Sequence, residues 1–138
     1  MNQKINSRKV DDSLEKLILA QRSLDEAISL PIKNKRDMAG IIKNFEFVFE
    51  LSWKTLKRLL EVLGHEALSA RDTFKIAYKT GLIENGNLWL EIIDSRNLTS
   101  HTYDEKIAKL LVEKIKTKYA EEFLLLTKTV TKKLKEIR

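Results

Sequence analysis

The 138-residue chain contains no cysteine, so disulfides and thiolate metal sites are excluded, and a reducing cytosolic setting is the simplest reading. A single proline and four glycines leave few points at which a helix must stop. Histidine occurs only twice, at His65 and His101, and acidic clusters with metal-ligand spacing are missing, so neither a metal nor another cofactor is expected. No apolar run approaches a membrane span, and the first residues, MNQKINSRKVDDSLEKL, hold no apolar signal core. These absences predict a soluble, cytoplasmic, all-α protein of one domain, residues 1–138, with no membrane contact.

Charge makes up 33% of the residues and is unevenly placed. Residues 1–105 carry 16 basic and 16 acidic side chains, whereas residues 106–138 carry 10 and 4, so the net charge of +6 lies in the last quarter. Such a tail attracts polyanions. A lysine-rich face that merely meets solvent is the competing reading.

Apolar residues recur at helical spacing along most of the chain. Val10, Leu14, Leu17, Ile18, Leu24 and Ile28 predict a first helix from about Arg8 to Ser29, closed by the Leu30-Pro31 junction. Asp37 is the expected cap of a second, whose stripe runs from Met38 through Phe45, Phe49, Trp53 and Leu60 to a left-handed stop at Gly64. Phe47 and Leu51 fall nearly opposite that stripe, one turn apart, and suggest a second buried contact. Ser69 and Asp72 have capping spacing for a short helix that Gly81 closes. Asn85 opens the next, with Leu88, Trp89, Ile92, Ile93 and Leu98 expected inward. Thr102-x-x-Glu105 fits a capping box from which a helix restarts and runs to about Thr117. A last amphipathic helix follows, either continuous with its predecessor or kinked near Tyr119. Short loops between long helices predict an antiparallel up-and-down bundle, a four-helix core with one additional short helix.

The stretch DSRNLTSHTYDE, from Asp94 to Glu105, gathers Arg96, Asn97, His101 and Tyr103. An imidazole passes protons near neutral pH, and a guanidinium holds two phosphate oxygens through its planar fork. In an unbroken helix, residues five apart point about 140° from each other. Arg96 and His101 therefore converge only if the helix breaks between them or a second subunit contributes. Structural readings compete at each position: an arginine near a helix end caps carbonyls, a histidine at a junction satisfies backbone groups, and a tyrosine packs its ring. Trp53 and Trp89, both on apolar stripes, read as core, and His65 as an exposed loop residue.

The spacing Arg-x-x-x-x-His-x-Tyr resembles the signature of the HEPN superfamily. The segments FEFVFELSWKTLKRLLEVLG (Phe45 to Gly64) and GLIENGNLWLEIIDSRNLTSHTYDE (Gly81 to Glu105) together resemble the nucleotidyltransferase substrate-binding protein family over most of the chain. The resemblance implies a HEPN-like bundle that forms a homodimer and acts as a metal-independent RNase toxin paired with a minimal nucleotidyltransferase antitoxin. Arg96 and His101 would then be catalytic, Asn97 and Ser100 supporting, and Lys106, Lys109 and Lys116 RNA-binding. It also implies that the partner silences the toxin by transferring AMP to Tyr103. The alternative is a non-catalytic subunit that presents a substrate or nucleotide to the nucleotidyltransferase, and a plain helical interaction module is a third reading.

Overall fold

The computed structural model describes the backbone of residues 3–138 and the side chains from Ser7 onward. Helix α1 spans Gln3–Ser29, α2 Lys35–Val62, α3 Ala70–Lys79 and α4 Gly86–Leu98. A 3₁₀ turn over Thr99–His101 follows, then α5 (Glu105–Lys114), a π turn (Ile115–Tyr119) and α6 (Ala120–Glu136). The architecture is the all-α bundle that the periodicity predicts. Helix α1 begins five residues before Arg8, because apolar spacing marks only the packed part of a helix and not its polar first turns.

Local chemistry sets the helix ends. Asn34, and not Asp37, caps α2: its side chain accepts the Asp37 N–H at 3.0 Å, while the Asp37 carboxylate reaches back to accept the Lys33 N–H at 2.7 Å. The aspartate thus supplies the inner half of a reciprocal box. Ser69 and Asp72 repeat that exchange at α3, and Asn85 caps α4. Gly64 and Gly81 adopt φ of +91° and +80°, which a side chain would resist. Beyond them the His65 and Leu82 N–H groups close onto the Leu60 and Ala77 carbonyls, satisfying helix ends that would otherwise be bare.

Helices α1 and α2 pack along each other as a hairpin, and α6 lies against both. The core is tied together by stacked and tilted rings from five elements. Phe74 stacks on Trp89 at 4.3 Å, Trp89 meets Phe123 edge-on at 5.7 Å, and Phe45 lies between Phe123 and Tyr119 at 5.9 and 5.7 Å. Each such pair contributes about 0.5–1.5 kcal/mol beyond simple burial. Trp89 is fully buried, as expected. Trp53 is only partly so, because it sits on the rim of the stripe with its indole N–H donating to Glu50. Leu98 turns to solvent rather than inward, because nine residues beyond Trp89 it falls on the opposite side of α4, while the adjacent Thr99 stays buried. The last two helical segments are continuous: the Ala120 N–H bonds the Ile115 carbonyl, five residues back, which makes the π turn. No helix among the described residues is long and apolar enough to cross a membrane.

Candidate functional site

Helix α4 delivers the motif to the surface and then breaks. After Leu98 the chain tightens into the single 3₁₀ turn, and α5 restarts at Glu105. Thr102 does not cap it. Its hydroxyl donates instead to the Thr99 carbonyl at 3.1 Å, and Asp104 takes the capping position by accepting the Lys106 N–H at 2.9 Å. A hydroxyl engaged backward by the 3₁₀ turn is unavailable forward, so the cap moves two residues on. His101 is nonetheless at the break, where the spacing places it.

Arg96 is half-buried. Its Nη1 donates to the Thr99 hydroxyl at 2.7 Å, and that hydroxyl donates to the Arg96 carbonyl, also at 2.7 Å. The Glu50 carboxylate of α2 lies 3.6 Å from Arg96 Nε, an ion pair just beyond hydrogen-bond length that leaves the buried Nε without a bonded acceptor. His101 and Tyr103 are exposed, the tyrosine 85% so. Their rings meet edge-to-face at 6.0 Å, with 3.4 Å between Nδ1 and the phenol oxygen. Asn97 and Ser100 are exposed, and the Ser100 hydroxyl donates to the Asn97 carbonyl at 3.2 Å.

The structure therefore pairs His101 with Tyr103 and Arg96 with α2. No hydrogen bond joins the guanidinium to the imidazole among the described residues. Phe47 stands 55% exposed on α2, three residues before Glu50 and hence on the same face as the carboxylate that meets Arg96. Lys106 and Lys109 are exposed in the first turns of α5, with Lys109 paired to Glu105 at 3.6 Å, and Lys116 is exposed in the π turn. Lys132 and Lys133 lie elsewhere, beside the loop between α3 and α4.

Two supports of the motif escape the sequence pattern. Glu50 is one; it stands in the Phe-Glu-x-x-Trp-Lys stretch (Phe49 to Lys54) of the segment that carries the family resemblance, but nothing in that stretch links it to Arg96. The other is a buried tie between α4 and the π turn. The Ser95 hydroxyl donates to the Tyr119 oxygen at 2.6 Å, and Tyr119 donates to the Glu91 carboxylate at 2.7 Å. Burial, reinforced by Glu91, pushes the Tyr119 phenol well above its ordinary range despite the Ser95 bond. The Tyr119 hydrogen bond, helped by Lys118 and Lys114, holds the Glu91 carboxyl below its ordinary range against the opposing effect of burial. Ser95 directly precedes Arg96, so this tie fixes the turn of α4 that carries the arginine.

A helical bundle that breaks its fourth helix to display an arginine, a histidine and a tyrosine is the class of protein that fold and site define. The chain belongs to the nucleotidyltransferase substrate binding protein like family, whose model matches residues 12–134. A probable ribonuclease HepT from Haemophilus influenzae is 39% identical over 83 residues, 56% of this chain and 57% of that relative, so the match spans little more than half of each. A Thermus thermophilus protein of known crystal structure superposes with a TM-score of 0.72 at 28% identity, covering 86% of this chain and 98% of that one. A Haemophilus influenzae structure, described as revealing the fold of a substrate binding domain of a nucleotidyltransferase, gives a TM-score of 0.65 at 29% identity, covering 94% of this chain and 99% of that one.

Proposed function

We propose that this protein is a cytoplasmic, metal-independent endoribonuclease of the HEPN kind, restrained by a minimal nucleotidyltransferase. The observation that carries the reading is the display of Arg96, His101 and Tyr103 around one helix break, beside an exposed Phe47. The similarity to a probable ribonuclease HepT supports it.

Strand scission needs a base for the 2′-hydroxyl proton, an acid for the departing 5′-oxygen, and positive charge for the crowded phosphorane. As the 2′-oxygen bonds phosphorus and the 5′-oxygen leaves, His101 handles the protons and Arg96 neutralises the developing charge. Asn97 and Ser100 position the phosphate. Each motif offers one imidazole, so a homodimer across the Phe47 and Leu51 face would bring two motifs to one cleft. Lys106, Lys109 and Lys116 guide the RNA, with binding that weakens steeply in salt. Restraint follows if the Tyr103 oxygen attacks the α-phosphorus of ATP on the partner and releases pyrophosphate. The resulting adenylate puts bulk and negative charge two residues from His101.

Expression of the chain with and without the nucleotidyltransferase tests the whole reading. Growth arrest with RNA cleavage by the chain alone, relieved by the partner, is the expected result. A second reading, a subunit that presents substrate to the nucleotidyltransferase, draws on the description of the Haemophilus influenzae structure. Normal growth and intact RNA in the absence of the partner would favour it.

A further inference from the structure

Several threonines turn their hydroxyls back onto their own helix: Thr80 on the Ile76 carbonyl, Thr117 on that of Glu113 and Thr131 on that of Thr127, at 2.7–2.9 Å. Such a bond is ordinary by itself. Thr99 makes it too, donating to the Arg96 carbonyl at 2.7 Å, and differs in what its oxygen receives. The Arg96 Nη1 donates to that same oxygen at 2.7 Å, the short end of the range for a hydrogen bond from a charged donor. No other hydroxyl among the described threonines accepts from a charged side chain.

A hydroxyl has a single hydrogen, and here the backbone has taken it. The lone pairs of Thr99 are therefore left to face the guanidinium, so the contact has one polarity only. Thr99 is buried and sits where α4 gives way to the 3₁₀ turn. Its own carbonyl accepts the hydroxyl of Thr102, the residue that follows His101, at 3.1 Å. One buried residue thus ties down the motif arginine through its side chain and the turn that carries the histidine through its backbone.

An arginine side chain turns about several bonds, and holding it in one pose costs conformational entropy. Glu50 limits that freedom, but at 3.6 Å from Nε it forms no hydrogen bond. The bond to Thr99 is the one direct hydrogen bond that the guanidinium makes among the described residues, and it leaves Nη2 without a partner. With the hydroxyl gone, the Glu50 carboxylate would be the remaining charged anchor. The guanidinium would close onto it, which takes N–H groups away from a phosphate.

We propose that Thr99 is a positioning residue of the ribonuclease site: its hydroxyl, fixed as an acceptor by the backbone, sets the direction in which Arg96 presents its free N–H groups to the scissile phosphate. Buried as it is, Thr99 acts through the arginine and does not touch the RNA. The inference rests on the ribonuclease reading. A shift of about 1 Å at such a group costs on the order of 100-fold in rate, whereas RNA affinity is carried by the lysines and should hardly change.

The test compares Thr99→Val, which keeps the shape and drops the hydroxyl, with Thr99→Ser, which keeps the hydroxyl. Single-turnover cleavage at saturating RNA should fall at least about tenfold in Thr99→Val and stay within about threefold in Thr99→Ser, with RNA affinity within about twofold in both. In ¹⁵N NMR of the full chain, with signals assigned by Arg96→Lys, the Arg96 Nη1 and Nη2 resonances should be separate in the unaltered chain and in Thr99→Ser, and averaged by rotation in Thr99→Val. Thr102→Val is the control: it removes a hydroxyl from the same turn without touching the guanidinium, and the Arg96 resonances should stay separate. Equal cleavage by Thr99→Val and the unaltered chain would overturn the proposal. So would a rate loss that Thr99→Ser shares in full, a loss confined to RNA affinity, or averaging in Thr102→Val as well. Averaged resonances in the unaltered chain would overturn it without any variant. Absence of cleavage by the unaltered chain would instead sink the ribonuclease reading, and the Arg96 resonances would still decide whether Thr99 holds the guanidinium.

Discussion

Glu50 holds Arg96 from a neighbouring helix: its carboxylate lies 3.6 Å from the guanidinium Nε and accepts the Trp53 indole N–H at 3.1 Å. One acidic side chain thus aligns the motif arginine and anchors a half-buried tryptophan. The pair is partly solvated, so its contribution to stability is at most about 1 kcal/mol. Its effect is on where the arginine points.

Arg96→Ala and His101→Ala should each reduce RNA cleavage by at least about 100-fold, since each removes a group acting in the same transition state. The double variant should lose little more than either single one. Far-UV circular dichroism should be unchanged, because His101 is exposed and Arg96 half-exposed. Near-normal cleavage by either single variant would remove these residues from the chemistry.

Tyr103→Phe should block covalent silencing while keeping nuclease activity. The ring is 85% exposed, so loss of its hydroxyl should shift stability by less than about 0.5 kcal/mol. Intact mass after incubation with the nucleotidyltransferase, ATP and Mg²⁺ reads the outcome: one adenylate gained by the unaltered chain, none by the variant. An adenylate that persists in Tyr103→Phe would falsify the assignment.

Phe47→Glu should convert a dimer to a monomer and lower cleavage in parallel. The side chain is 55% exposed and the Lys43 ammonium sits 5.3 Å over its ring, so the change leaves the core alone. Light scattering at micromolar concentration reports the mass. A variant that remains dimeric would place the interface elsewhere.

Tyr119→Phe should cost about 1–3 kcal/mol, because the Glu91 and Ser95 groups lose a buried partner. The pH response has a definite sign. Burial raises the folded-state phenol above its ordinary value of 10.0, so its contribution is fully present below that pH. As pH rises beyond it, the unfolded chain releases the proton first and stability falls. Urea unfolding near pH 8 and near pH 11 should show a smaller loss in Tyr119→Phe than in the unaltered chain; equal losses would show that other groups set the alkaline limit.

The bundle was legible because burial imposes the helical period on Val10, Leu14 and Leu24, on Phe45 and Phe49, and on Trp89 and Ile92. Gly64 and Gly81 marked true stops because only a left-handed residue lets the following N–H close the helix end. The misplaced caps at Asp37 and Thr102 share a cause. Several short polar residues stand near each start, and which one caps depends on what its neighbours already bond. Leu98 was misplaced by its apolar character alone; its phase, half a turn round from Trp89, already set it outward. Likewise the motif residues were visible as residue types, but the ion-pair partner of Arg96 comes from α2, 46 positions upstream at Glu50, and only its bond to the Thr99 hydroxyl is local.

The π turn between α5 and α6 works as a phase shifter. Ala108, Val112 and Ile115 face the core before it, and Phe123, Leu126, Val130 and Leu134 after it, with Tyr119 at the join. A regular helix advances about 100° per residue, so without the wide turn Phe123 and Val130 would lie round from the face set by Ala108 and Ile115. The turn takes up one residue beyond the α register and returns both halves to a single buried face. Deleting one residue here, Thr117 for instance, would therefore let an ordinary α-helix run through with Phe123 and Val130 still inward, whereas inserting one would rotate α6 out of phase. The segment is a length tolerance built in one direction only.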